Sequence, residues 1–126
     1  MPGKVVAIVG ASADRAKFGN KAVRAHRRQG WTVYPVNPRD ADIEGLKVYR
    51  SLAEIPARVD RVSLYLPPRL GLALLPEIAA VRPTEFYVNP GAESLELVAR
   101  ARELGLEPIL ACSIVAIGET PDDFPV

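Results

Sequence analysis

After the apolar run Val5-Val6-Ala7-Ile8-Val9 the chain reads Gly10-Ala11-Ser12-Ala13-Asp14-Arg15-Ala16-Lys17-Phe18-Gly19-Asn20. A glycine followed by small residues lets main-chain amides approach an anion closely. A helix starting near Gly19 would add unpaired N–H groups and a partial positive charge. Arg15 and Lys17 place two cations in the same loop. This is the chemistry of a phosphate site. The loop is longer than the dinucleotide fingerprint and lacks its second and third glycines at the usual spacing. Its weight therefore comes from its place between a strand and a helix, and the alternative is an ordinary loop with solvated charges.

Two further segments bear on what the phosphate would belong to. Dinucleotide-binding domains put Asp or Glu at the end of the second strand to hold ribose hydroxyls. Here that place reads Val36-Asn37-Pro38-Arg39, followed by Asp40. A cation in place of the acid favours a phosphorylated ribose, either the 2′-phosphate of NADP or the 3′-phosphate of coenzyme A. The bland alternative is a surface turn, which Asn-Pro commonly starts. Tyr65-Leu66-Pro67-Pro68 forms an apolar wall suited to an adenine face or a pantetheine arm, or simply terminates a strand.

Catalytic groups are scarce. His26 is the only histidine, and it falls in the middle of a helix, away from the strand ends. No HExxH, CxxC or P-loop lysine pattern occurs, so no metal site is expected. Cys112, the single cysteine, ends the last strand without neighbouring cations to activate it. Trp31 and Tyr34 read as packing residues. The cluster Arg24-Ala25-His26-Arg27-Arg28 reads as a solvated helix face. A net charge of +1 supplies no field toward nucleic acid or an anionic membrane. No stretch approaches the ~20 apolar residues of a membrane span, and a cytoplasmic location is expected.

The elements that must position these residues follow from periodicity. The 126 residues fit one domain, residues 1–126. β-branched runs predict strands over 5–9, 31–36, 61–66, 85–88 and 107–111, with a short edge strand over 47–49. Helices are predicted over 19–29, closed by Gly30, over 69–81 with Pro76 inside or at its start, and over 94–104, closed by Gly105. Ser51 to Glu54 has capping-box spacing for a short helix. The tail 112–126 reads as irregular. Alternating strands and helices imply a three-layer, Rossmann-like, doubly wound α/β domain with a parallel sheet of order about 3-2-1-4-5-6. Ligands bind such sheets beyond the strand carboxyl ends, where the order reverses. That point gathers the loop after Gly10, the turn at Asn37 and the wall at Tyr65, with Asn89-Pro90-Gly91 next along the edge.

Four runs carry a family resemblance: Val9-Gly10-Ala11-Ser12, then Val33-Tyr34-Pro35-Val36-Asn37-Pro38, then Gly45-Leu46-Lys47-Val48-Tyr49-Arg50-Ser51-Leu52, and Tyr65-Leu66-Pro67-Pro68. Over residues 4–115 the chain resembles the small stand-alone CoA-binding proteins and the CoA-binding domain of the succinyl-CoA synthetase α subunit. The resemblance implies coenzyme A as cofactor. It implies that Gly10, Ala11, Ser12, Arg15, Lys17, Phe18 and Gly19 surround its diphosphate. Val36, Asn37, Pro38 and Arg39 would flank the adenosine and its 3′-phosphate, and Tyr65, Leu66, Pro67 and Pro68 the adenine side. Asn89, Pro90 and Gly91 would follow the pantetheine path to Cys112 near the thiol. Such a protein stands alone, as a homo-oligomer, or serves as a subunit of a larger enzyme. Two departures mark this chain: Asn89-Pro90-Gly91 replaces a Gln-Pro-Gly common in stand-alone members, and the segment after Cys112 is apolar.

The expected function is non-catalytic binding of coenzyme A or an acyl-CoA. The alternatives are an NAD(P)-binding oxidoreductase or redox-sensing module, and an interaction domain whose crevice holds no nucleotide.

Overall fold

In the computed structural model, which describes residues 4–126, the opening apolar run is strand β1, Val5–Val9. Met1 to Gly3 of the expected domain lie outside the described residues. β1 is buried on both faces, as a β-branched run in a parallel sheet should be. Val6 and Ile8 enter one helical layer, and Ala7 and Val9 enter the other. Beside β1 run β2, Thr32–Val36, and on its other side β5, Arg61–Leu64. β6, Glu85–Val88, and β7, Pro108–Leu110, complete a parallel five-stranded sheet of order β2-β1-β5-β6-β7. The order reverses between β1 and β5.

Helix α1, Phe18–Arg28, covers one face through Ala22, Val23 and Ala25. It stops at Gly30, where φ is +86°. The Gly30 N–H donates to the Arg27 carbonyl at 3.0 Å and the Trp31 N–H to the His26 carbonyl at 3.0 Å, the double closure that a left-handed residue permits. Because Trp31 closes the helix, the second strand starts one residue later than its periodicity predicts. Helices α2, Pro68–Val81, and α3, Leu95–Glu103, cover the other face through Leu75, Ile78, Leu97 and Ala101. α2 starts with Pro68 in its first turn and runs on through Pro76. The lost bond and the ring contact at Pro76 cost about 3 kcal/mol in an isolated helix. Buried Leu75 and Ile78 on either side hold the segment against the sheet.

Three expectations need correction. The third strand of the expected order is reduced to a single parallel bridge between Val36 and Tyr49. Lys47 is instead drawn into a hairpin of β3, Asp42–Ile43, and β4, Leu46–Lys47. The short 3₁₀ turn Leu52–Glu54 is not capped by Ser51. Glu77 of α2 caps it, accepting from the Leu52 N–H at 2.5 Å. The tail is not irregular. It forms helix α4, Ser113–Ala116, and a 3₁₀ turn, Pro121–Asp123. Ile114 and Phe124 bury against the α1 layer. Glu119 joins them there, ion-paired to Arg28 and accepting from Gln29 Nε2 at 2.5 Å.

Candidate functional site

The loop from β1 to α1 is shaped by close contacts and by two asparagines. Gly10 turns the chain at φ +94°, and its N–H donates to the Val36 carbonyl at 3.1 Å. A Cβ there would lie 3.1 Å from the Tyr65 carbonyl carbon and from Leu66 Cδ2, so the strand exits at 10 and 65 approach without side chains between them. The Ala11 carbonyl accepts from Asn37 Nδ2 at 2.8 Å, and the Ser12 carbonyl from Asn20 Nδ2 at 2.9 Å. Asn20 is fully buried. It also donates to Glu44 Oε2 at 3.1 Å and accepts from Arg24 Nε at 2.8 Å. With those carbonyls pinned, the loop is a fixed shape. Among the described residues, the N–H groups of Ala11, Ser12, Phe18 and Gly19 have no acceptor. Those at Phe18 and Gly19 are the unpaired donors that open any α-helix. Lys17 is the N-cap residue of α1.

Two adjoining cavities open over this loop. The first, of about 470 Å³, is bounded by Val9 to Ser12 on the loop, by Val36, Asn37 and Pro38 at the end of β2, by Arg50, and by Leu70, Ala73 and Leu74 of α2. The second, of about 460 Å³, is bounded by Ala16, Phe18 and Gly19 on one side and Pro90, Gly91 and Ala92 on the other. Gly10, Lys17, Tyr65, Leu66 and Pro67 line both, so the two are lobes of one cleft with Lys17 at the waist. Two apolar side chains stand exposed at its lips, Phe18 at 56% and Leu70 at 45%. Such exposure is what a ligand would cover.

Most of the residues named from the sequence meet here, but five do not. Arg15 turns to Glu44, at 3.4 Å. Arg39 is exposed and lies beyond Pro38, outside both linings. Pro68 serves as the first residue of α2. Asn89 is buried, and its amide is spent inside the protein. Cys112 packs partly buried with the α1-side core and lines neither lobe. In the other direction, Arg50, Leu70, Ala73 and Leu74 were not singled out from the sequence. Spacing of i, i+3, i+4 in the α2 segment was the available signal for the last three.

Beneath the cleft floor a polar knot joins three strand exits. Asn89 Nδ2 donates to Ser63 Oγ and to the Leu64 carbonyl, each at 2.9 Å, and Asn89 Oδ1 accepts from the Ser113 N–H at 2.8 Å. Ser113 Oγ lies 2.7 Å from Ser63 Oγ and 3.1 Å from the Tyr65 hydroxyl. Burial pushes the Tyr65 hydroxyl up to about 12, against the opposing pull of its bond to Ser113. Tyr65 thus lines the cleft with its hydroxyl tied into this knot, and it keeps its proton near neutral pH.

Comparison with known proteins agrees with this arrangement. Residues 4–118 match the profile of a family described as CoA binding domain. The chain is 38% identical over 65 residues to acetate–CoA ligase (ADP-forming) II subunit alpha of Pyrococcus furiosus, an overlap covering 51% of this chain and 14% of that protein. It is 40% identical over 67 residues to acetate–CoA ligase (ADP-forming) I of Archaeoglobus fulgidus, covering 53% and 10%. The matches thus span a small part of these curated relatives. Among solved structures, a conserved hypothetical protein from Pyrococcus furiosus superposes with a TM-score of 0.80 at 36% identity, covering 91% of this chain and 99% of that one. The dinucleotide-forming acetyl-coenzyme A synthetase 1 of Ca. Korarchaeum cryptofilum, in complex with phosphate and ADP, gives 0.74 at 29% identity, covering 86% and 25%.

Proposed function

The chain belongs to the CoA-binding domain family, and on that premise we propose that it binds coenzyme A or an acyl-CoA in the two-lobed cleft without performing chemistry of its own. The observation that carries this is the shape of the cleft. Two lobes of similar size meet at a waist made of Gly10, Lys17 and Tyr65 to Pro67. An extended ligand with an anionic middle fits that plan. The diphosphate would lie at the waist, against main-chain N–H groups and Lys17. The adenosine would occupy the lobe walled by Val36, Pro38 and Leu74, and the pantetheine arm the lobe between Phe18 and Gly91. The donors suit the group: a fixed loop whose carbonyls are tied elsewhere, and glycines at 10 and 19 where a Cβ would crowd backbone or Leu66. When bound, coenzyme A supplies a thiol that carries acyl groups as thioesters.

The chain's own residues would bind and orient. In the cleft lining Tyr65 carries the one phenol, the hydroxyl nearest in acidity to a general acid, and burial pushes it up to about 12, away from the range such a role needs. This speaks against the NAD(P)-dependent oxidoreductase reading. A role as carrier, as sensor, or as one component of a larger acyl-CoA enzyme follows from the same binding property.

Calorimetry with CoA, dephospho-CoA, NAD and NADP tests the proposal. CoA is expected to bind more tightly than either nicotinamide dinucleotide. NADP binding tighter than CoA would overturn it, and no heat with any of the four would favour the interaction-domain reading.

A further inference from the structure

We infer that Arg50, rather than Arg39, reads a phosphate on the ribose of the bound adenosine. The inference rests on the CoA-binding proposal and assigns a residue to its specificity. Arg50 lines the adenosine lobe with Val36, Asn37 and Pro38. Backbone bonds set it there. Tyr49 bridges to Val36, its N–H donates to the Pro35 carbonyl at 2.9 Å, and its carbonyl accepts from the Asn37 N–H at 3.0 Å. The next residue is therefore fixed beside the exit of β2.

Among the described residues no carboxylate pairs with the Arg50 guanidinium. Arg15, by contrast, is turned away by Glu44, and among the described residues Arg50 is the one arginine that lines either lobe. An unpaired guanidinium against a mostly apolar wall asks for an anion, and its planar fork matches phosphate better than an ammonium does. Lys17 already serves the waist, so the lobe has one cation at each of two places. A ligand with a 5′-diphosphate alone uses the first. An adenosine that also carries a 2′- or 3′-phosphate uses both. Arg39 is exposed like Arg50 but lacks this placement, since it lies outside both linings and is followed directly by Asp40.

The test is calorimetry on the full chain and on Arg50→Met and Arg39→Met, with CoA, dephospho-CoA, NADP and NAD. Methionine keeps an unbranched stem and removes the charge. The wild-type chain is expected to prefer CoA to dephospho-CoA by about tenfold or more, the ratio a charge-assisted bond to phosphate gives. Arg50→Met should bring that ratio near one, with the loss falling mainly on CoA, and retained binding of dephospho-CoA shows that the variant is folded. Arg39→Met should keep the ratio. The inference is overturned if Arg50→Met retains the preference, or if Arg39→Met abolishes it. A wild-type chain that binds neither CoA nor dephospho-CoA overturns the CoA proposal and the inference together. Arg50-dependent discrimination confined to NADP over NAD would assign the site to a 2′-phosphate and overturn the CoA proposal while leaving Arg50 as the phosphate reader.

Discussion

A Cβ built on Gly19 would stand 2.3 Å from the carbonyl oxygen of Gly10. The first turn of α1 is thereby pressed onto the end of β1, and the loop between them is closed into a ring around the candidate phosphate position. The obstacle is backbone at the end of a central strand, which cannot swing aside as a flexible side chain would.

Gly19→Ala should therefore run against helix propensity. In an exposed helix interior the change would gain up to ~1 kcal/mol. Here it should lower the stability by about 1–3 kcal/mol, the usual cost of overpacking, or lift α1 away from the loop and weaken CoA binding. Urea denaturation with calorimetry on the same protein checks both. A stabilised variant with unchanged affinity would show that the contact is not as close as the structure has it.

His26 gives the fold a pH dependence whose sign can be worked out. Its Nδ1 lies 2.8 Å from the Ala22 carbonyl, which only accepts, so Nδ1 carries the proton. Nε2 is buried without a partner. Protonating it would place a charge in the core near Arg61, and burial holds the imidazole down to about 4. The unfolded chain, with an ordinary value near 6.5, binds that proton first. Stability is then fully present above about pH 6.5 and falls as pH drops toward 4, by on the order of 3 kcal/mol. Glu119 acts in a lower window. Its bonds from Arg28 and Gln29 hold it to about 2, below its ordinary 4.5, so its share is lost only as pH falls from about 4.5 toward 2. Urea midpoints between pH 8 and 4.5, followed by the fluorescence of Trp31, isolate the histidine. Trp31 is the only tryptophan, and its ring packs edge-on to His26 at 5.2 Å. His26→Leu should flatten the profile over that range, and an unchanged slope would remove His26 as its cause.

The parts of the fold that were legible in the sequence are those set by local rules. The run Val5 to Val9 could only be a strand covered on both faces. Gly30 and Gly105 close helices because a left-handed residue is needed within a turn of each end. What escaped was set by contacts distant in the chain. Asn89 follows a strand at the ligand edge and reads as lining, but Ser63, 26 residues earlier, and Ser113, 24 later, turn its amide inward. Helix α4 is four residues long, too short to show a period, and the tail is held by Glu119 on Arg28, 91 positions away. Arg50 sits inside the run Gly45 to Leu52, but only the Tyr49–Val36 bridge brings it to the cleft, and no local pattern shows that contact. Arg39 stands in the position where an acid is expected, but its sequence position alone does not show that the chain turns it outside both cavity linings.

Lys17 separates the waist from the ribose end. It lines both lobes, and among the described residues it has no carboxylate partner. Its charge would meet the diphosphate, which CoA and dephospho-CoA share. Lys17→Met should therefore weaken both by the same factor, about three- to tenfold for one lost charge at a partly solvated site. The CoA preference over dephospho-CoA should persist, and the affinity should depend less steeply on salt because one screened attraction is gone. Arg50→Met is expected to do the reverse, abolishing the preference through a loss that falls mainly on CoA. Titrations of both variants with both ligands at two salt concentrations make the comparison. If Lys17→Met lost CoA affinity selectively, the ribose phosphate would have to lie at the waist, and the polarity proposed for the ligand in the cleft would be inverted.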